Sequence, residues 1–169
     1  MMERPVVLDG MEALIVDRKS EITPTVKRIL EQHGCTVHQV STGQEAILVH
    51  RRRPCDLILV DVEPGSCAGL TDLHNIRTDS HTCILPLVAL ADQDTGETRW
   101  SCISAGADLV LRKPLNPREF VSRTATLLEG IRDIGGRMYS RSSVLESVFG
   151  ISLKKHDKKR ENLMWTVKS

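Results

Sequence analysis

Five short apolar runs, each followed by a stretch of helical patterning, constrain this chain more than any other feature. The runs are Ala13–Asp17, Thr36–Val40, Asp56–Asp61, Ile84–Leu90 and Asp108–Arg112. Four are apolar almost throughout, which suits strands covered on both faces and therefore a parallel sheet. The second alternates apolar and polar residues, as an edge strand does.

Each gap carries helix signals. Thr23 before Pro24 predicts an N-cap with proline in the first turn; Val26, Ile29, Leu30 and His33 then share a face, and Gly34 ends the helix. Thr42-x-x-Glu45 is a capping box, and its helix closes on Arg51-Arg52-Arg53 before Pro54. A third helix is predicted over 68–78 with Leu70, Leu73 and Ile76 inward, and Asp72-x-His74 reads as its solvent face. A fourth covers 96–105 with Trp100 and Ile103 inward. Asn116-Pro117-Arg118-Glu119 combines cap, first-turn proline and reciprocal glutamate, so a fifth helix starts there. Five strands alternating with five helices predict an α/β fold, a doubly wound flavodoxin-like (βα)5 with a five-stranded parallel sheet in the order 2-1-3-4-5.

At 169 residues and 40% apolar, the chain suffices for one domain with a sizeable core. Aromatic residues make up only 3%, which argues against a base-stacking surface. Charge is uneven: residues 1–129 carry 14 Lys and Arg against 18 Asp and Glu, a net of −4, and residues 130–169 carry 9 against 4, a net of +5. The expected organisation is therefore a domain over 1–131, with its core at 12–131, and a basic C-terminal extension over 132–169. Ser143-x-x-Glu146 and Gly150 predict a short helix at 143–149 in that extension. No run of about eighteen apolar residues predicts a transmembrane helix, and the opening apolar run is too short for a signal peptide. The five scattered cysteines, with no C-x-x-C pair, suit buried free thiols in a reducing compartment. The expected location is cytoplasmic.

In open α/β sheets, ligands sit beyond the carboxyl ends of the strands, where the strand order reverses. The first strand ends at Asp17, the third at Asp61, and the fifth runs into Lys113-Pro114. A carboxylate near a cation can attack a phosphoryl group, and a lysine can stabilise the transferred oxygens. One such residue at a strand end is as often a simple cap. Three at a single switch point favour a site.

Those residues and their surroundings resemble the response-regulator receiver domain of two-component signalling over about residues 12–131. The resemblance rests on Leu14-Ile-Val-Asp17, on Asp56-Leu-Ile-Leu-Val-Asp61 with Gly69 eight residues on, on Leu85-Pro-Leu-Val, and on Gly106-Ala-Asp-Leu-Val-Leu-Arg-Lys113-Pro114. It implies that Asp61 accepts phosphate from a sensor-kinase histidine, that Asp17 and Asp61 hold Mg²⁺, that Lys113 pairs with the phosphoryl group, and that the Lys113–Pro114 peptide is cis.

The departures are as informative. Arg18 replaces the second acid after the first strand, and an arginine supplies no oxygen to a metal. Ala91 replaces the switch Ser/Thr, Val110 replaces the switch aromatic, and Glu63-Pro64-Gly65 replaces the family's Met-Pro and adds a carboxylate to the acidic pocket. Mg²⁺ binding is therefore expected to be weak or absent, and no other cofactor is expected. Arg18 is expected either to pair with Asp61, where the metal would sit, or to extend into solvent. With Ala91 and Val110, a phosphoryl group on Asp61 lacks the family's mechanical readout. The expected function is that of a divergent, pseudo-receiver-like, stand-alone signalling protein, not an enzyme. It would act mainly by protein–protein interaction with a sensor histidine kinase or a downstream effector, or as a homodimer through the fifth helix or the tail. The alternatives are an active phosphoacceptor at Asp61, or a regulator that binds nucleic acid or membrane through the basic tail; the acidic body itself gives no case for nucleic acid.

Overall fold

A computed structural model of the chain describes residues 8–93, 95–133, 153–156 and 164–167. The elements run β1 (Glu12–Val16), α1 (Thr23–Glu31), β2 (Thr36–Val40), α2 (Gly43–Arg52), β3 (Leu57–Val62), α3 (Ala68–Thr78), β4 (Leu87–Ala91), α4 (Gly96–Ala105), β5 (Leu109–Arg112) and α5 (Pro117–Asp133). The sheet has the predicted order β2-β1-β3-β4-β5 with every pair parallel. Successive strand residues enter opposite cores, as a period of two requires. Ala13 and Ile15 pack with Val26, Leu30, Phe120 and Leu128 under α1 and α5. Leu14 and Val16 pack with Ala46, Leu73, Ile76 and Cys102 under α2, α3 and α4. The chain leaves β1 for β2 on one side and β3 on the other, so the crevice opens beyond Val16 and Val60, which are paired in register.

Local capping explains the helix starts. The Thr42 hydroxyl accepts the Glu45 N–H at 3.1 Å, and Glu45 reaches back to the Ser41 N–H at 2.9 Å. The Asn116 side chain accepts the Glu119 N–H at 3.1 Å. Thr23 differs from expectation. It is the first helical residue of α1, and its hydroxyl donates to Asp17 instead of capping.

Two faces also differ from the sequence pattern. In α4 the buried residue is Cys102, whereas Trp100 is 71% and Ile103 46% exposed. At about 100° per residue, Trp100 lies nearly opposite Cys102, so only one of the two positions can face the sheet. A small thiol suits close approach of this short helix. In α3 the inward stripe is Gly69, Asp72, Leu73 and Ile76, and Asp72 is only 3% exposed. The surface assignment of Asp72 is thus corrected.

Arg77, at the end of α3, ties the far end of the sheet. It donates to the carbonyls of Gly106, Cys83 and Leu85 and to the Asp108 carboxylate. Gly106 closes α4 at a φ of +128°, and a Cβ there would stand 2.6 Å from the Arg77 side chain. Beyond α5, β6 (Leu153–His156) and β7 (Met164–Val167) form an antiparallel pair that the sequence pattern does not predict. The helix predicted at 143–149 lies outside the described residues. Among the described residues no helix is long and apolar enough to cross a membrane.

Gly69 lets α3 approach the end of β3. A Cβ there would lie 2.8 Å from the Asp61 carbonyl oxygen and 2.9 Å from Val62 Cα, both backbone atoms that cannot yield without moving the strand. Gly69→Ala is expected to destabilise the fold by about 1–3 kcal/mol, read as a lower urea midpoint at unchanged slope.

Candidate functional site

Asp17 is fully buried at the end of β1. Its Oδ2 accepts the Ile22 N–H at 3.1 Å, the Thr23 N–H at 3.0 Å and the Thr23 hydroxyl at 2.7 Å. A single carboxylate oxygen thereby caps α1 from five residues upstream, where helix amides lack partners. Its other oxygen, Oδ1, is buried with no partner among the described residues.

Asp61 stands level with Asp17 on the neighbouring strand, and its carboxylate accepts a hydrogen bond from Lys113 Nζ. Both side chains are largely buried. Lys113 follows β5 through a backbone hydrogen bond to Ala91, and its peptide to Pro114 is cis. Its ammonium also lies 3.3 Å from Asp92 Oδ1. Asp92 is a residue that the sequence reading passed over, although it ends a strand just as Asp17 and Asp61 do.

Burial raises the Asp61 pKa above the usual carboxylate value; Lys113 works against that, and Asp17 and Glu63 add to it. Burial acts to lower the Lys113 pKa, but the hydrogen bonds and charges of Asp61 and Asp92 outweigh it and hold the ammonium above its ordinary value. Asp61 thus shifts upward chiefly through burial, and Lys113 through its carboxylate partners.

Arg18 takes neither of its expected positions. Its guanidinium forms a two-pronged pair with Asp72, at 2.5 and 3.1 Å, and its pKa is raised chiefly by that hydrogen bond. Asp72 Oδ1 also accepts the Gly43 N–H at 2.9 Å, so one buried carboxylate joins the β1–α1 turn, α2 and α3. The signal for this partner was an acid inside the 69/73/76 stripe of α3. Arg18 still lines a small cleft together with Asp61, Glu63 and Ser66. Glu63 pairs with Lys19 at 3.1 Å near the surface. Ala91 and Val110 are buried in the core beneath α3 and α4. The structure therefore gathers Asp17, Asp61, Glu63, Lys113 and Asp92 at one end of the sheet and turns Arg18 aside.

Residues 13–125 match the response regulator receiver domain. The chain belongs to this family. The receiver is 28% identical over 145 residues to regulatory protein VanR of Enterococcus faecium, covering 85% of this chain and 62% of that protein. It is 31% identical over 117 residues to transcriptional regulatory protein YvrH of Bacillus subtilis, covering 69% of this chain and 48% of that protein. The chain thus spans about half to three-fifths of these relatives. A crystal structure of a response regulator from Thermotoga maritima superposes with a TM-score of 0.61 at 26% identity, covering 70% of this chain and 98% of that one. The receiver domain of a Pseudomonas aeruginosa sensor histidine kinase, with a magnesium ion coordinated in its active-site cleft, shares the fold at 24% identity and a TM-score of 0.62, covering 71% of this chain and 98% of that one.

The receiver's fit to such a cation is partial. The unpartnered Asp17 Oδ1 is an oxygen available to a cation. Arg18 offers donors only, and among the described residues no group of three or more His, Cys, Asp or Glu is arranged to hold a metal. The cysteines are free: Cys35, Cys55 and Cys102 are buried, Cys83 is half-buried and, against expectation, Cys67 is exposed. Burial pushes the Cys35 thiol to about 11 and Cys55 to about 12, so neither is a reactive thiolate near neutrality.

Asp61 binds its proton more tightly in the folded chain than in the unfolded one. Its contribution to stability is therefore present below the ordinary carboxylate pKa and is lost as pH rises through the folded value. Asp61→Asn is expected to raise the thermal midpoint at neutral pH and to change it little at about pH 3. Lys113→Met leaves the buried carboxylate without its cation and is expected to cost about 1–3 kcal/mol at neutral pH. That deficit should shrink toward about pH 4 as Asp61 takes up a proton. Thermal unfolding followed by circular dichroism across this range reads both effects.

Proposed function

We propose that this receiver is a divergent signalling unit of a two-component phosphorelay that works mainly through protein–protein contact, with Asp61 a slow phosphoacceptor. One observation carries the reading: the Asp61–Lys113 pair is retained beside Asp17, while the position of the second acid holds Arg18, tied to Asp72. In the reaction, an Asp61 carboxylate oxygen attacks phosphorus, the donor's P–N or P–O bond breaks, and the donor leaves with the electron pair. Lys113 then faces the new phosphoryl oxygens. Mg²⁺, when held by Asp17 and Asp61, would neutralise charge on those oxygens. With no third side-chain oxygen at position 18 its binding is weak. The chain is acted upon by a kinase and is not an enzyme that turns over a substrate of its own.

Exposed Trp100 and Ile103 on α4 support the contact role, since a large aromatic side chain standing in solvent suits a protein partner. A second reading, a fully active phosphoacceptor, is favoured by one fact: Arg18 is drawn to Asp72 and does not cross the Asp61 carboxylate.

Incubation with Mg²⁺ and acetyl phosphate, followed by intact-mass measurement, is expected to show slow addition of one phosphoryl group, absent in Asp61→Asn. Arg18→Asp alone would strand buried Asp72, so the informative variant is Arg18→Asp combined with Asp72→Asn, which keeps an acceptor for Gly43. It is expected to bind Mg²⁺ about tenfold or more tightly by calorimetric titration, because it gains an oxygen ligand and loses a cation. Tight binding by the wild type with no gain in the variant would favour the active phosphoacceptor.

A further inference from the structure

Lys113 serves two carboxylates at once, and only one of them is the phosphoacceptor. Its Nζ bonds Asp61 and lies 3.3 Å from Asp92 Oδ1. Asp92 is the first residue beyond β4, and the hydrogen bond from the Lys113 N–H to the Ala91 carbonyl, 2.8 Å long, fixes the two chain ends beside each other. The two acids differ in freedom. The Asp61 side chain is 9% exposed, whereas that of Asp92 is 43% exposed. Asp92 also borders a cavity of about 390 Å³ that is lined in part by Glu63, Ala91 and, on α4, Thr98. It has room to turn away from Lys113, and Asp61 does not. Meanwhile Ala91 supplies no hydroxyl by which β4 could follow an anion on Asp61.

We propose that Asp92 is a positioning residue that competes with the anion at Asp61 for Lys113, and so couples the charge at Asp61 to the β4–α4 turn in place of the missing hydroxyl. This rests on the reading of Asp61 as the phosphoacceptor. The phosphoryl group carries roughly −1.5 to −2 of charge and three acceptor oxygens, and because the new bond uses up the carboxylate's own charge, the site becomes more negative by about half to one charge. An ammonium has three donors and one charge. A dianion on Asp61 therefore draws Lys113 toward itself and repels Asp92 into the cavity. A modification shifts a conformational equilibrium only through contacts that differ between the states, and the Lys113–Asp92 contact is one that differs. The covalent step is unchanged: Asp61 oxygen to phosphorus forms, phosphorus to donor breaks, and the donor takes the electron pair. Asp92 acts only through Lys113, by holding part of its charge before transfer and releasing it afterward.

The test compares wild type with Asp92→Asn, which keeps size and removes charge. With acetyl phosphate and Mg²⁺, intact mass should show the adduct accumulating about three- to tenfold faster in Asp92→Asn, the effect of removing one nearby negative charge. On loading, amide NMR signals of residues 91–93 and 95–98 should shift in the wild type and shift much less in Asp92→Asn. Equal rates together with equal shifts would overturn the proposal and make Asp92 a bystander ion pair of the exposed kind. If no adduct forms in either protein, the phosphoacceptor reading fails, and the charge competition is decided without phosphate. Asp61→Asn hands Lys113 to Asp92, so the Asp92 carboxylate and Thr95 amide signals should move relative to wild type; unmoved signals would overturn it.

Discussion

Lys113 brings a single ammonium into a cleft that holds Asp61 and Asp92 as direct partners, with Asp17 close enough to influence Asp61. The carboxyl end of the sheet is organised around that shortage of positive charge. The ammonium ties the end of β3 to the end of β5 across β4, and β4 contributes both a carbonyl to the Lys113 backbone and a carboxylate to its side chain. Buried like charges are tolerable only when a cation is shared among them. Asp61 and Asp92 draw on the same ammonium, so a change of charge at one bears on the hold of the other.

A second constraint works at the neighbouring turn. Asp17 spends one oxygen on the start of α1, and this fixes the β1–α1 turn that carries Arg18. Arg18 then reaches Asp72, which also holds the first amide of α2. Gly43 makes that possible, since a Cβ there would stand about 3.0 Å from the Asp72 backbone. Capping, packing and the charge at the cleft mouth are thus one connected structure. In a two-state fold, such connected groups are felt together when one is changed.

The strand order and nearly all helix bounds were legible because apolar runs and capping residues are local signals. Asp17, Asp61 and Lys113 were legible because strand ends in this topology converge. What escaped the sequence was pairing at a distance. Arg18 and Asp72 are 54 residues apart, and only the fold shows that the stripe of α3 containing Asp72 faces the turn containing Arg18. Asp92 escaped for a different reason: the strand-end rule was applied to the first, third and fifth strands, although it covers the fourth too. Trp100 was misplaced because apolar character was taken to mean inward, while the sheet accepted the small Cys102 instead. The β6–β7 pair escaped because β6, Leu-Lys-Lys-His, reads as part of a basic run and β7, Met-Trp-Thr-Val, is only four residues long.

The Arg18–Asp72 pair also restricts how a sequence like this one can change. Restoring an acid at position 18 by one substitution leaves Asp72 buried with only the Gly43 amide, beside a second negative charge. Losing Asp72 first releases a guanidinium into the cleft that Arg18 shares with Asp61. Each single step passes through a less stable or more obstructed molecule, and only the paired step avoids both. The arginine at position 18 is therefore held in place by packing against α3, some distance from the Asp61–Lys113 pair. Mutation works on such a pair as on a ratchet, and the route back to an ordinary acidic cleft requires two changes to arrive together.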